Sequence, residues 1–216
     1  MMGNRRIILL FPVIGITLFV ILYLLAAWYY PGGSQADQSS VGFSWTDNYW
    51  CNLLDKNAIN GFKNISRPFA LSGMVVLLIS LSVFFYIVPH YSDIKAGLKR
   101  MIGFSGIASM ITVLFLELGS HDLILNIAGV FGFIAFGGIV SIMIERKWYG
   151  LALTGFINLF LVAINNLLYY NPGWIHFLPS VQKITFVCFL IWISLICLKV
   201  YRLSIPDKNS NQLSAK

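Results

Sequence analysis

The sequence predicts an all-α polytopic membrane protein, a bundle of six transmembrane helices, and three observations carry that reading. Of the 216 residues, 58% are hydrophobic and only 11% charged, whereas a soluble domain is about a quarter charged; the polar side chains are too few to cover a water-facing surface. Six apolar runs match or approach the roughly 20 residues needed to cross about 30 Å of hydrocarbon. The basic residues gather on alternate loops, the asymmetry that orients multi-pass chains.

The first span, about 7–30, follows Arg5 and Arg6 as a signal peptide would. It is too long for an h-region and ends in AAWYYPGG without an A-x-A cleavage pattern, so it is expected to remain as an anchor. The remaining spans are expected at about 69–89, 101–118, 123–144, 148–170 and 179–201. The third carries Glu117 near its end, and the sixth carries Lys183 and Lys199 near its ends, where long side chains snorkel to the interface. Residues 1–205 thus read as one transmembrane domain without a fixed-period repeat, and the hydrophilic tail 206–216 reads as disordered.

Arg5, Arg6, Lys95, Lys99, Arg100, Arg146, Lys147, Lys199, Arg202, Lys208 and Lys216 fall on one side, 11 of the 15 basic residues. The other side has Lys56, Lys63, Arg67 and Lys183. By the positive-inside rule both termini are cytoplasmic, the protein lies in the cell membrane, and loop 31–68 is outside. Trp28, Tyr29, Tyr30, Tyr169, Tyr170 and Trp174 mark the outer boundary and Trp148 an inner one. Pro31, Pro172 and Pro179 fall at outer helix ends, where a missing backbone donor is tolerated.

Loop 31–68 has two unlike halves. PGGSQADQSS is Gly/Ser-rich and reads as flexible. GFSWTDNYWCNLL places Phe43, Trp45, Tyr49, Trp50, Leu53 and Leu54 together, an apolar content that belongs on the mouth of the bundle or in the headgroup zone. This segment is expected to cap the bundle, either as an interfacial anchor or as a lid over a site.

The net charge of +7 does not imply nucleic acid, because the basic residues form no stripe beside stacking aromatics. Cys51, Cys188 and Cys197 show neither CxxC nor Cys/His spacing, so no disulfide framework or structural zinc site is indicated.

Ionisable groups within spans are expensive and therefore functional candidates. At about 1.5 Å per residue, Glu117 lies roughly 25 Å above Arg100, Asn126 roughly 28 Å above Glu145, Asn165 roughly 27 Å above Lys147 and Lys183 roughly 28 Å above Arg202. Four helices thus bring polar groups to one level just inside the outer interface. Glu117 and His121 have i, i+4 spacing, Asp122 and Asn126 follow one turn apart, and Asn158, Asn165 and Tyr169 form a stripe expected to face protein.

Two explanations remain open. The groups could bond helices together, with Glu117 and Lys183 or Arg67 as a structural ion pair. Alternatively they could form an outward-facing site in which Arg67 and Lys183 meet an anion while Glu117, His121 and Asp122 supply acid/base or metal-ligand groups. His121, Asp122, Glu117 and His176 include the ligand types of a two-His, carboxylate zinc site, but no HxxxH or HExxH pair fixes two of them on one face, and no metal or cofactor is expected. The GxSG form at Gly103-Phe104-Ser105-Gly106 has no base within reach of Ser105 except at the depth of His90; Ser105, Ser109 and Thr112 read instead as a packing stripe. Gly129, Gly132, Gly137 and Gly138 are expected to permit close helix approach. Asn64-Ile65-Ser66 matches a glycosylation sequon at the membrane boundary.

Four segments carry a family likeness: YPGG closing the first helix, NYWCNLL leading to NISRPFALSG, GSHDLILNIAG entering the fourth helix, and PSVQKITF opening the sixth. Together they resemble a bacterial six-span family, domain of unknown function 998, and more distantly the six-span FRAG/DRAM membrane proteins. The resemblance implies an integral membrane protein with a His after the third helix, here His121, and a Gln-basic pair starting the sixth, here Gln182 and Lys183. It brings no established activity. The several transmembrane histidines of ceramidase-like hydrolases are missing from a chain with three histidines in all.

The leading functional expectation is a protein that binds a lipid or small amphiphile in an outward-facing polar pocket formed by Arg67, Glu117, Asn126, Asn165, Tyr169, Gln182 and Lys183. The partners expected are membrane lipids and such a ligand, with no nucleic acid. A second expectation is an enzyme acting on a lipid headgroup with His121 as base, oriented by Asp122 or Glu117. A third, a small-solute transporter, would need a polar route to the inner face and paired broken helices, which the sequence does not show.

Overall fold

The computed structural model describes residues 7–115 and 121–204, with the backbone alone at residues 121 and 122. Six long helices run through it: α1 Phe11–Trp28, α2 Arg67–His90, α3 Ala96–Leu114, α4 His121–Glu145, α5 Tyr149–Tyr169 and α6 Leu178–Leu203. Short 3-10 turns at Ile8–Leu10 and Ile175–Phe177 lead into α1 and α6, and a third, Trp50–Leu53, lies in the long connection between α1 and α2. All six are long and apolar enough to cross a membrane, so the chain is an all-α, multi-pass bundle. Among the described residues, strand-like pairing is limited to two isolated bridges, Gly32 with Val41 and Asn57 with Lys63.

Helix ends follow local chemistry more than hydropathy. α2 begins at Arg67, two residues before the apolar run, with Pro68 in the first turn, where its absent N–H is no loss. α3 begins at Ala96, not at 101, because Gly97-Leu-Lys-Arg continues the helix as a polar first turn outside the apolar run. Its expected end at 118, the tail 206–216 and Glu117 lie outside the described residues.

In lipid, apolar surface gives helices little reason to associate, so close backbone approach and hydrogen bonds must hold them. α1 packs chiefly on α2, α2 on α3, α3 on α4 and α5 on α6, while α6 returns to α1 and closes the bundle. Gly15 of α1 lies so close to Ser80 of α2 that a methyl group there would overlap the hydroxyl, and Gly138 of α4 meets Ile102 of α3 in the same way. The serine stripe packs as expected: Ser105 and Ser109 are buried, and Ser109 Oγ donates to the Ala128 carbonyl across the α3–α4 interface at 2.8 Å. Gly132 lies opposite Ser109, but Gly129 and Gly137 face open space, so only two of the four α4 glycines serve close approach. Trp192 of α6, 2% exposed, donates its indole N–H to the Leu151 carbonyl of α5 at 2.8 Å and packs on Phe136 of α4.

Burial along α4 is uneven. Its large buried side chains, Ile139, Val140, Ile142 and Met143, belong to the half near Glu145, whereas Leu123, Leu125, Val130 and Phe133 nearer the long loop are exposed. The bundle is therefore packed tightly at the end carrying Arg146, Lys147 and Arg202 and opens toward the end covered by loop 31–68.

Candidate functional site: a cleft beneath a folded cap

Three asparagines organise the loop into a cap. Asn48, fully buried, accepts from the Ser44 N–H at 2.8 Å and donates to the Gly33 carbonyl at 2.8 Å. Asn52 accepts from the Tyr49 N–H at 2.8 Å, starting the 3-10 turn. Asn64 donates toward the carbonyls of Asn52, Leu53 and Asp55 at 3.3, 3.2 and 2.9 Å and accepts from Ser66. A sequon asparagine buried to 4% and bonded this way is a structural hub, so the folded chain does not present it for glycosylation.

The Gly/Ser-rich half, expected to be flexible, is folded against the rest. Gly33 N–H donates to the Ser40 carbonyl at 2.7 Å and Ser34 N–H to the Asp37 carbonyl at 2.8 Å. Gly33 has φ +82° and its α-carbon lies against the Asn60 backbone, a position closed to other residues by both conformation and space. Composition predicted mobility; pairing of these backbone groups within the cap overrides it. Tyr30 likewise leaves the expected interfacial belt: it is 3% exposed, and its hydroxyl accepts from the Ile59 N–H at 3.0 Å.

The cap docks on the first turns of α6 through three bonds. Ser180 donates to the Thr46 carbonyl at 3.2 Å, Gln182 Oε1 accepts from the Trp50 N–H at 3.4 Å, and Lys183 Nζ donates to the Asn48 carbonyl. Lys183 also donates to the Pro179 carbonyl at 2.9 Å, and its ammonium lies 5.6 Å from the Phe43 ring centroid and 6.0 Å from that of Trp50, within cation–π reach. Nearby, the hydroxyls of Ser44 and Thr46 donate to Asp47 at 2.6 Å each; these bonds, helped by the Lys183 charge, hold its carboxyl below the usual range. The aromatic half is a cap as expected: Leu53 is fully buried and Phe43, Trp50 and Leu54 pack on the core, while Trp45 stays half-exposed.

Beneath the cap lies an open cleft of about 470 Å³, within the range of small-molecule sites. The cap supplies Trp50, Cys51, Leu54, Asp55 and Lys56; α1 supplies Tyr23, α2 Arg67 and Met74, α4 Leu125, and α6 Gln182 and Phe186. Polar groups collect at the cap and the start of α2, while Met74, Leu125 and Phe186 make an apolar wall farther into the bundle. Arg67 is anchored by its Nε, which donates to the Leu54 carbonyl at 2.8 Å. Cys51 is exposed as a residue, but the apolar wall desolvates its thiol and, with the nearby Asp55 carboxylate, pushes its pKa up to about 11.

Among the described residues, two polar atoms of this wall lack partners. The Tyr23 hydroxyl and the Trp50 indole N–H are buried without a hydrogen bond, on rings 5.3 Å apart. Leaving a donor unsatisfied costs about 1–3 kcal/mol, so each needs an explanation.

Only part of the site expected from the sequence comes together. Arg67 and Gln182 line the cleft. Lys183 does not: its ammonium, beside two aromatic rings, is taken by backbone carbonyls and ties cap to helix. Asn165 belongs to the helix interface, donating to Thr185 Oγ1 of α6 at 2.6 Å and to the Leu161 carbonyl at 2.8 Å. Along the same stripe Asn158 is buried, but Tyr169 is 46% exposed, with its neighbour Leu168 buried in its place. Asn126 is exposed on α4 beside Leu125 and does not line the cleft; it lies off the face by which this half of α4 packs on α3 at Ala128 and Gly132. Glu117 and the side chains of His121 and Asp122 lie outside the described residues. His176 is exposed and lies against Phe177, with ring centroids 4.0 Å apart and the planes tilted by 42°.

Sequence reasoning missed Tyr23, Trp50 as a polar group, Cys51, Asp55 and Met74. Inside an apolar span a tyrosine carries no cost visible in a charge count, and its contact with Gly73 is set by the α1–α2 crossing, so the sequence alone carried no signal for it. Compared with protein-family models, curated proteins and solved structures, the chain matches none of them.

Proposed function

We propose that this multi-pass membrane protein binds a lipid or a comparably small amphiphile in the cleft beneath the cap, and that the cap faces outward from a cell membrane. The observation that carries the reading is the order of groups across one cavity. Lys56, Arg67 and Asp55 stand at the cap side, and Met74, Leu125 and Phe186 line the part within the helices. A polar head and an apolar tail match that order, and mostly apolar concave sites with a few polar groups are the usual form of a ligand pocket. The exposed apolar half of α4 next to Leu125 gives a tail continuity with the surrounding bilayer.

Native mass spectrometry of protein released from lipid nanodiscs tests this. Wild type is expected to retain one lipid, and Met74→Trp, which fills the apolar wall, to lose it by about tenfold in affinity. Wild type that emerges free of lipid, or a Met74→Trp protein that holds lipid equally well, overturns the reading.

A further inference from the structure

We propose that the ligand of this cleft carries an acyl carbonyl at its polar–apolar junction, as an ester-linked lipid does, and that the Tyr23 hydroxyl and the Trp50 indole N–H donate to it. The inference rests on the cleft being a lipid site and names what the lipid must contain.

Four buried polar side-chain atoms among the described residues have no partner: Tyr23 Oη, Trp50 Nε1, Asn158 Oδ1 and Asn165 Oδ1. The two asparagines lie on α5 away from the cleft, and each already bonds through its amide nitrogen. Tyr23 and Trp50 are adjacent members of the cleft wall, and Tyr23 is only 2% exposed. An indole N–H donates and never accepts, so an acceptor alone can satisfy Trp50. Met74, Leu125 and Phe186 offer none, Gln182 Oε1 is taken by the Trp50 backbone N–H, and the Asp55 carboxylate and Cys51 thiol of the same cleft bond neither donor. A hydrogen-bond acceptor arriving with the ligand completes the wall.

Depth selects the kind of acceptor. The Tyr23 ring lies 3.0 Å from the place a Gly73 side chain would begin, six residues or about 9 Å along α2 from Arg67. Passing inward, a ligand meets the charged groups and then, at the level of Gly73 and Met74, the two donors set within the apolar wall. A glycerolipid presents phosphate, then acyl carbonyls, then chains in that same order. Fatty alcohols and alkyl ethers lack the middle group. Both donors lie beneath the surface of the cleft, so the proposed contact includes a turn of the half-buried Trp50 indole that opens them to the carbonyl.

The test compares diacyl phosphatidylglycerol with its dialkyl ether analogue, matched in headgroup and chain length, in competition for the purified full chain. Wild type is expected to prefer the ester about tenfold, and Tyr23→Phe and Trp50→Phe each to narrow that ester-over-ether ratio several-fold. Equal affinity of wild type for both lipids, or a preference that survives in both variants, overturns the inference while leaving the lipid site standing. Binding of neither lipid overturns both. Because the Tyr23 hydroxyl has no partner among the described residues, Tyr23→Phe is also expected to melt no lower than wild type when lipid-free; a clear drop assigns that hydroxyl a structural bond and removes it from the ligand.

Discussion

The ammonium of Lys183 is held by two backbone carbonyls and two aromatic faces, a set that solvates a cation without placing a carboxylate in the membrane. Its role is therefore to bind cap to helix, and the same logic separates the other polar residues. Those that are costly to bury, such as Asn48, Asn64 and Asn165, have found carbonyls or hydroxyls for their amide nitrogens; among the described residues the side-chain atoms left over are the amide oxygens of Asn158 and Asn165 on α5 and, in the cleft wall, the polar atoms of Tyr23 and Trp50. Cys51 reports on that wall. Burial and Asp55 raise its pKa to about 11, so the neutral thiol persists at physiological pH, and the thiolate, the reacting form, is about one part in a thousand at pH 8. With Cys188→Ser and Cys197→Ser in place, the iodoacetamide reaction of Cys51, followed by mass spectrometry, is expected to accelerate about tenfold per pH unit from 7 to 10 and to level near pH 11. A plateau near the ordinary thiol value of about 8.5 would show a solvated thiol and contradict the desolvated wall.

At the scale of elements, the six spans were legible because a run of some 20 apolar residues has few alternatives in water or lipid. The cap's aromatic half was legible for a similar reason, since Leu53 and its neighbours need cover. The asparagine framework was not: Asn48, Asn52 and Asn64 have ordinary loop composition, and only the chain path brings their amides to carbonyls up to 15 residues away. Glycines pose the same difficulty, because a small residue at a crossing and one facing open space look alike in sequence. Gly15→Ala is expected to force α1 from Ser80 and destabilise by about 1–3 kcal/mol, the usual cost of overpacking. Gly129→Ala, with open space around its α-carbon, is expected to be neutral or to gain up to about 1 kcal/mol of helix propensity. Thermal unfolding in detergent, both variants beside wild type, checks the pair; equal effects would mean that the α1–α2 crossing is looser than described.

Across the whole molecule, packing and charge run in opposite directions along the bundle axis. The end bearing Lys95, Lys99, Arg100, Arg146, Lys147, Lys199 and Arg202 is tightly packed, and there the Lys199 ammonium lies 4.9 Å from the Trp148 ring centroid, a cation and an aromatic together at the level where headgroups meet hydrocarbon. The capped end is poor in basic residues and contains the cleft. Because Lys and Arg resist translocation, the proposed orientation places this cleft on the outer side, where its ligand would come from the outer leaflet. Two cysteine substitutions in an otherwise cysteine-free chain distinguish the faces: Val41→Cys on the cap, 95% exposed, and Asp93→Cys in the exposed turn between α2 and α3. In intact cells a membrane-impermeant maleimide is expected to label Val41→Cys and to reach Asp93→Cys only after permeabilisation. The reverse pattern would turn the cleft toward the cytoplasm and its lipid toward the inner leaflet, and equal labelling of both would mean that the charge asymmetry, 11 basic residues against 4, fails to orient the chain.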